Sequence, residues 1–182
     1  MEFDVNFFVH NSNKIEGIPA TKGLQHSCHV AVASAVMEEP KSFVADVRLI
    51  HTLLGPVFDA EVQPGQFRTK EVFIGSREMP KPAHIANLML IFAVKVQDYL
   101  ATVSGQSHMI VTSAAWELHD YLVCVHPFAD GNGRVARLFM NAFRQVCGQG
   151  WETVLYEDKE LYIDRIRSYE RRFASVHCDV YQ

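Results

Sequence analysis

Residues 126–137 read His126-Pro127-Phe128-Ala129-Asp130-Gly131-Asn132-Gly133-Arg134-Val135-Ala136-Arg137, and the stretches on either side decide the fold. Upstream, Ile110, Val111, Ala114, Ala115, Leu118 and Leu122 recur at helical spacing through Ser107 to Val125. Downstream, Leu138, Phe139, Ala142, Phe143 and Val146 continue the pattern. The stretch is therefore a loop at the corner between two helices. Gly131 and Gly133 allow backbone conformations closed to other residues and a close approach to a ligand, with N–H groups turned inward as an anion nest. A helix starting near Gly133 points the free N–H groups and positive dipole end of its first turn at the same place. Asn132 is expected as an N-cap or a phosphate donor. Arg134 and Arg137, at i and i+3, leave the first turn on one face, and two such cations imply two or three phosphates. Asp130 is a hard oxygen ligand of the kind Mg²⁺ takes when nucleotide phosphates and water complete its octahedron. A histidine ordinarily titrates near neutrality, so His126 is expected to act as general base toward a hydroxyl attacking a phosphoryl group. Taken singly, a glycine turn, a packed histidine and solvated arginines are the plain readings; it is their occurrence together and in order that points to phosphate chemistry. A P-loop is excluded, because no Gly-Lys-Ser/Thr follows and no strand precedes.

At every specified position this segment resembles the Fic (Fido) family signature, His-x-Phe-x-Asp/Glu-Gly-Asn-Gly-Arg-x-x-Arg. The resemblance implies an all-α, Fic-type helical bundle that transfers AMP from ATP to a Ser, Thr or Tyr hydroxyl of a target protein, releasing pyrophosphate. It makes His126 the catalytic base and Asp130 the Mg²⁺ ligand. It places ATP against Asp130, Gly131, Asn132, Gly133, Arg134, Val135, Ala136 and Arg137, with the two arginines on the outer phosphates. Phe128 has a structural task, burying its ring under the loop so that the nest stays rigid.

Two further segments extend the likeness. Gly65 to Gly75 resembles the family's flap, a β-hairpin lying over the nucleotide, whose Val72, Phe73, Ile74 and Gly75 would line ATP. Independently, Val72, Phe73 and Ile74 favour strand, with Pro64-Gly65 and Gly75 marking the ends. An exposed strand edge over 65–75 would dock a target protein by β-augmentation; an ordinary structural hairpin is the other reading. Ser12-Asn13-Lys14-Ile15-Glu16-Gly17 resembles the inhibitory motif Ser/Thr-x-x-x-Glu-Gly/Asn that some relatives carry on a helix before the core. Gly17 suits the position just past a helix, which puts Glu16 at the C-terminal end, where the macrodipole disfavours a carboxylate and a cation partner is needed. With Arg137 as that partner, the pair would withhold the guanidinium from the γ-phosphate. Leu161-Tyr162 stands where many relatives carry a Tyr-Tyr pair near the adenine, so Tyr162 is a candidate contact, although Tyr162, Ile166 and Tyr169 also have the spacing of a core face.

At 182 residues the chain suits one domain, read as an N-terminal inhibitory helical part over 1–40 and a Fic core over 42–175. The net charge of −4 argues against nucleic acid as a partner, and the arginines at 165, 167, 171 and 172 are expected to form a solvated stripe. Four cysteines without a Cys-x-x-Cys pair fit a reducing cytoplasm. The cluster His26-Ser27-Cys28-His29 matches no standard zinc spacing. No signal peptide or membrane partner is expected: the run Ile85 to Leu100 is interrupted by Asn87, Lys95, Gln97 and Asp98 and suits an amphipathic helix. Phe7 and Phe8 are surface candidates that would allow a homodimer. Helices are expected up to Glu16, over Lys22–Met37, Ser42–Leu54, from Pro82, into His126, to Cys147, and over Asp158–Phe173. Two rivals remain: removal of AMP from a modified protein at the same site, with Glu16 orienting a water, and a Fic-like binding module that recognises a partner through its flap edge without turnover.

Overall fold

The computed structural model describes residues 3–18 and 23–181. Eight α-helices and one short hairpin make up the described chain: α1 Val5–Ile15, α2 Leu24–Glu38, α3 Pro40–Ala45, α4 Arg48–Leu53, β1 Phe73–Ile74, β2 Arg77–Glu78, α5 Pro82–Val103, α6 His108–Val125, α7 Asn132–Val146 and α8 Lys159–Val176. The expected all-α bundle with one hairpin is what the chain forms. The expected start of the second helix at Lys22 lies outside the described residues.

Local chemistry sets the boundaries that matter. Asp4 opens α1, its Oδ1 accepting from the N–H groups of Asn6 (2.9 Å) and Phe7 (3.2 Å). At the other end Gly17 takes φ +73° and donates to Lys14 O, while Ile18 donates to Asn13 O (3.0 Å). This is a Schellman closure, and it fixes Glu16 as the C-cap. The single helix expected over Ser42–Leu54 is instead two. Asp46 breaks it: its backbone is extended, and its carboxylate takes both the N–H (3.0 Å) and the guanidinium of Arg48, a local competitor to the helical ladder. The hairpin also differs from expectation. Its strands are Phe73–Ile74 and Arg77–Glu78, registered Phe73 to Glu78, so it reaches beyond Gly75.

α7 is the axis of the bundle, packed by α6, α3 and α2, while α5 and α8 pack on α6 and reach α7 through Phe92 against Phe139 and Tyr162 against Arg137. Leu138, Phe139, Met140, Ala142 and Phe143 are all fully buried. Its polar residues Asn132, Arg134, Arg137, Asn141 and Arg144 are buried too, which a helix surrounded on all sides requires. α5 is long and apolar enough to cross a membrane by length and composition, yet Ile85, Leu88, Met89, Phe92 and Val96 are buried in this bundle. Of the two proposed surface phenylalanines, Phe7 is half exposed. Phe8 belongs to the core, packed edge-on against Trp151 (5.3 Å between centroids) because it lies on the inner face of α1.

Candidate active site

The helical ladder of α6 ends on His126, which takes φ +49° and is the single described non-glycine residue with positive φ. Three groups hold the ensuing loop. Arg68 donates from its backbone N–H to Pro127 O (2.9 Å), from Nε to His126 O (2.7 Å), and from its two terminal nitrogens to Lys70 O and Pro80 O. His51 accepts Gly65 N–H at Nδ1 (2.8 Å) and donates from Nε2 to Asp130 O (3.2 Å), its ring stacked on Phe128 at 4.0 Å. Asn132 accepts from Phe128 N–H (2.9 Å) and donates to Phe128 O (2.8 Å). Its amide oxygen and one amide hydrogen are used on the loop, so the Asn132 side chain braces the nest, and Gly131 rather than Asn132 is the N-cap of the helix. Phe128 is fully buried beneath it, as expected.

α7 begins at Asn132, and its first backbone bond runs from Val135 N–H to Gly131 O. The N–H groups of residues 132, 133 and 134 have no acceptor among the described residues, which is the open end an anion needs. Gly131 has φ +75°, and a Cβ there would strike the Phe58 ring. A Cβ on Gly133 would collide with the Glu16 carboxylate, which therefore lies in the nest itself. Val135 and Ala136, one and two positions past Arg134, turn to the opposite side and are buried in the core, so they do not line the site.

The two arginines are held differently. Arg134 donates to Gln25 Oε1 (3.0 Å) and lies 3.5 Å from Asp130 Oδ2, while its Nε–H is buried without an acceptor among the described residues. Arg137 is fully buried and nearly saturated. Its Nε donates to Ser12 Oγ (2.9 Å), Nη1 to the Tyr162 hydroxyl (3.1 Å), and Nη2 to Ser12 O (3.0 Å) and Glu16 Oε1 (2.7 Å). Burial pushes the Glu16 carboxyl up, but the charge and hydrogen bond of Arg137, helped by Arg134 and His126, outweigh it and hold the group below its ordinary value. Tyr162 is buried behind Arg137 rather than spread as an open adenine platform.

His126 donates from Nδ1 to Val123 O (3.3 Å), which leaves the Nε2 lone pair free to accept a proton. Burial, assisted by the Arg68 charge, pushes its pKa down to about 4, so the ring is neutral at physiological pH. Asp130 presents an exposed carboxylate whose Oδ1 accepts Gly131 N–H at 2.6 Å. No group of three metal-ligating side chains exists among the described residues. The donor set suits Mg²⁺ in the manner of a nucleotide site, with one carboxylate and the remaining oxygens from phosphate and water.

Residues 43–144, more than half of the chain, match the sequence profile of the Fic/DOC family. The chain belongs to that family. A Fido domain-containing protein of Dictyostelium discoideum is 32% identical over 112 residues, 62% of this chain and 76% of that protein. The protein adenylyltransferases Fic of Drosophila willistoni and Nematostella vectensis are 32% and 28% identical, over 64% and 78% of this chain. The Fic chain described here spans only 22% and 32% of those two enzymes. Among solved structures, a Fic domain containing signaling protein of Bacteroides thetaiotaomicron superposes with a TM-score of 0.69 at 20% identity, covering 90% of this chain and 70% of that one. Fic-1 of C. elegans gives 0.67 at 20%, covering 91% and 55%. At that identity they show the Fic fold.

The segment expected as the flap meets the loop after α6 through Arg68, with Phe73 exposed and Val72 and Ile74 half-buried. Ser12 opens the inhibitory motif read from the sequence, whereas Arg68, His51 and Phe58 were not predicted as site residues. Each is a lone side chain whose partners lie far away in the chain, so no local pattern marks it.

Proposed function

We propose that this Fic chain is a protein adenylyltransferase held off by its own α1. The observation that carries this reading is the Glu16 carboxylate, bonded to Arg137 and seated against Gly133, in the space a nucleotide phosphate would take. With α1 displaced, the open N–H groups of α7, Arg134 and Arg137 hold the phosphates of ATP. The target hydroxyl gives its proton to Nε2 of His126 as its oxygen bonds to the α-phosphorus, and the bond to pyrophosphate breaks. Bound at Asp130, Mg²⁺ would neutralise phosphate charge. The target's backbone is placed by the exposed edge of the flap hairpin.

The test is transfer of α-labelled ATP, with Mg²⁺, onto the protein and onto a cell lysate. Glu16→Gly should raise labelling sharply, and adding His126→Ala should abolish it. Transfer from γ-labelled ATP alone would make the protein a phosphotransferase. Glu16-dependent loss of AMP from a pre-labelled target would favour the reverse reaction, and no transfer with intact partner binding would favour a binding module.

A further inference from the structure

Beyond Arg137 lies a second run of buried polar groups that the transfer chemistry does not use, with Tyr162 packed in one apolar cluster with Ile15 of α1. Asp120, 1% exposed, accepts from His119 Nδ1 (2.9 Å) at one carboxylate oxygen and is ion-paired at the other with Arg165, whose Nε lies 3.0 Å away. His119 is fully buried, and its Nε2 is 3.1 Å from the Tyr162 hydroxyl, which is itself 3.1 Å from Arg137 Nη1. Only one proton arrangement satisfies every member. Asp120 takes the Nδ1 proton, the His119 Nε2 lone pair takes the Tyr162 O–H, and the tyrosine oxygen is left turned toward the guanidinium as an acceptor. Burial favours the neutral imidazole this requires, opposed by the Asp120 carboxylate. A protonated His119 would donate at Nε2 and strand the phenolic proton.

Arg137 uses four N–H donations in this structure, three to Ser12 and Glu16 on α1 and one to Tyr162. When α1 leaves, the three go together. Tyr162 then supplies the one remaining acceptor among the described side chains that bond the guanidinium. Without it, a long side chain regains rotamer freedom just as the outer phosphates must find it.

We propose that Asp120, His119 and Tyr162 form a directional hydrogen-bond relay that keeps Arg137 aimed into the nest after α1 departs. They are positioning residues for recognition of the outer phosphates, and no proton moves along them. The relay is rooted near the surface. Arg165 stacks over Trp116 (4.6 Å) and, with Asp120, lines a cavity of about 520 Å³ between α5, α6 and α8. Arg165, expected from sequence to sit on a solvated stripe, is thus the counter-charge of a buried carboxylate.

The proposal rests on the adenylyltransferase reading only in taking Arg137 as the ligand of outer phosphates. Its test is equilibrium binding of ATP and of AMP by calorimetry to the Glu16→Gly protein and to the same protein carrying Tyr162→Phe, His119→Phe or His119→Gln. Tyr162→Phe, which removes a single oxygen, should weaken ATP binding about tenfold and leave AMP binding unchanged, the equivalent of about 1.4 kcal/mol. His119→Phe should do the same, the double variant should be no worse than either single one, and His119→Gln should recover most of the loss because its amide oxygen can accept the Tyr162 O–H. Parallel losses for ATP and AMP would reduce the relay to a packing role and overturn the proposal, as would additive effects of the two changes. If the Glu16→Gly protein itself shows no preference for ATP over AMP, the phosphate role of Arg137 fails first, and the proposal falls with it.

Discussion

Replacing Glu16 with Gln should move nucleotide affinity and fold stability in opposite directions. The Arg137 side chain is 1% exposed and that of Glu16 is 35% exposed, with 2.7 Å between them. Breaking a fully buried pair costs about 3–5 kcal/mol and an exposed one about 0–1, so this pair lies between. Gln keeps an acceptor of the same shape, and only the charge is lost. The difference between a charge-assisted and a neutral hydrogen bond is about 1.5 kcal/mol. That quantity favours docked α1 over bound phosphate in the wild type, so ATP should bind about tenfold tighter to Glu16→Gln. The same loss should lower Tm without nucleotide by about 3–6 °C for a chain of this size. Calorimetric titration with Mg·ATP and a thermal melt on the same preparation read both quantities. A lower Tm with unchanged ATP affinity would refute the idea that the ion pair competes with phosphate. Tighter binding at unchanged Tm would show that Glu16 repels phosphate without tethering α1.

Two further outcomes follow from buried polar groups. Arg68→Met should leave the carbonyls of His126, Lys70 and Pro80 without their donor, costing about 3 kcal/mol and lowering Tm by about 6–12 °C, with proteolysis appearing first in the flap; a Tm loss below about 2 °C would mean the clamp is idle. The histidines set a pH window: burial pushes His29 down to about 3 and His51 to about 4, so the stability they supply is complete above the ordinary histidine value near 6.5 and drains away as pH falls toward 4. Tm should therefore be flat from pH 8 to 6.5 and decline below. With the pKa of His126 held at about 4, transfer by Glu16→Gly should show no inflection near pH 6.5, and a rate halved there would contradict the burial of the base.

The catalytic corner was legible because its residues are consecutive: two glycines, two arginines and a histidine carry their geometry in their spacing. Gly17 announced the end of α1 for the same reason, since a Schellman closure is written in neighbouring residues. What was missed lies partly in local bonds that apolar spacing does not record and partly in distance along the chain. Asp46 interrupts a helix by a bond to Arg48 that apolar periodicity does not register. Val135 and Ala136 lie inside the signature and outside the site, because a motif records sequence order while a helix turns its side chains to all sides. His51 reaches Asp130 across 79 residues, and His119 meets Tyr162 across 43. Only the folded chain shows that such lone residues have partners.

The saturation of Arg137 by α1 has a thermodynamic meaning. On the proposed function, α1 is in effect a tethered ligand, competing with ATP for one cation at a local concentration fixed by the chain. Dilution cannot weaken a competitor of this kind, and only two things can: a nucleotide concentration high enough to outrun it, or a partner that binds α1 and removes it from the contest. By linkage the reverse also holds, so every increment of ATP affinity gained on releasing α1 is an increment by which bound ATP exposes α1 to whatever would bind it.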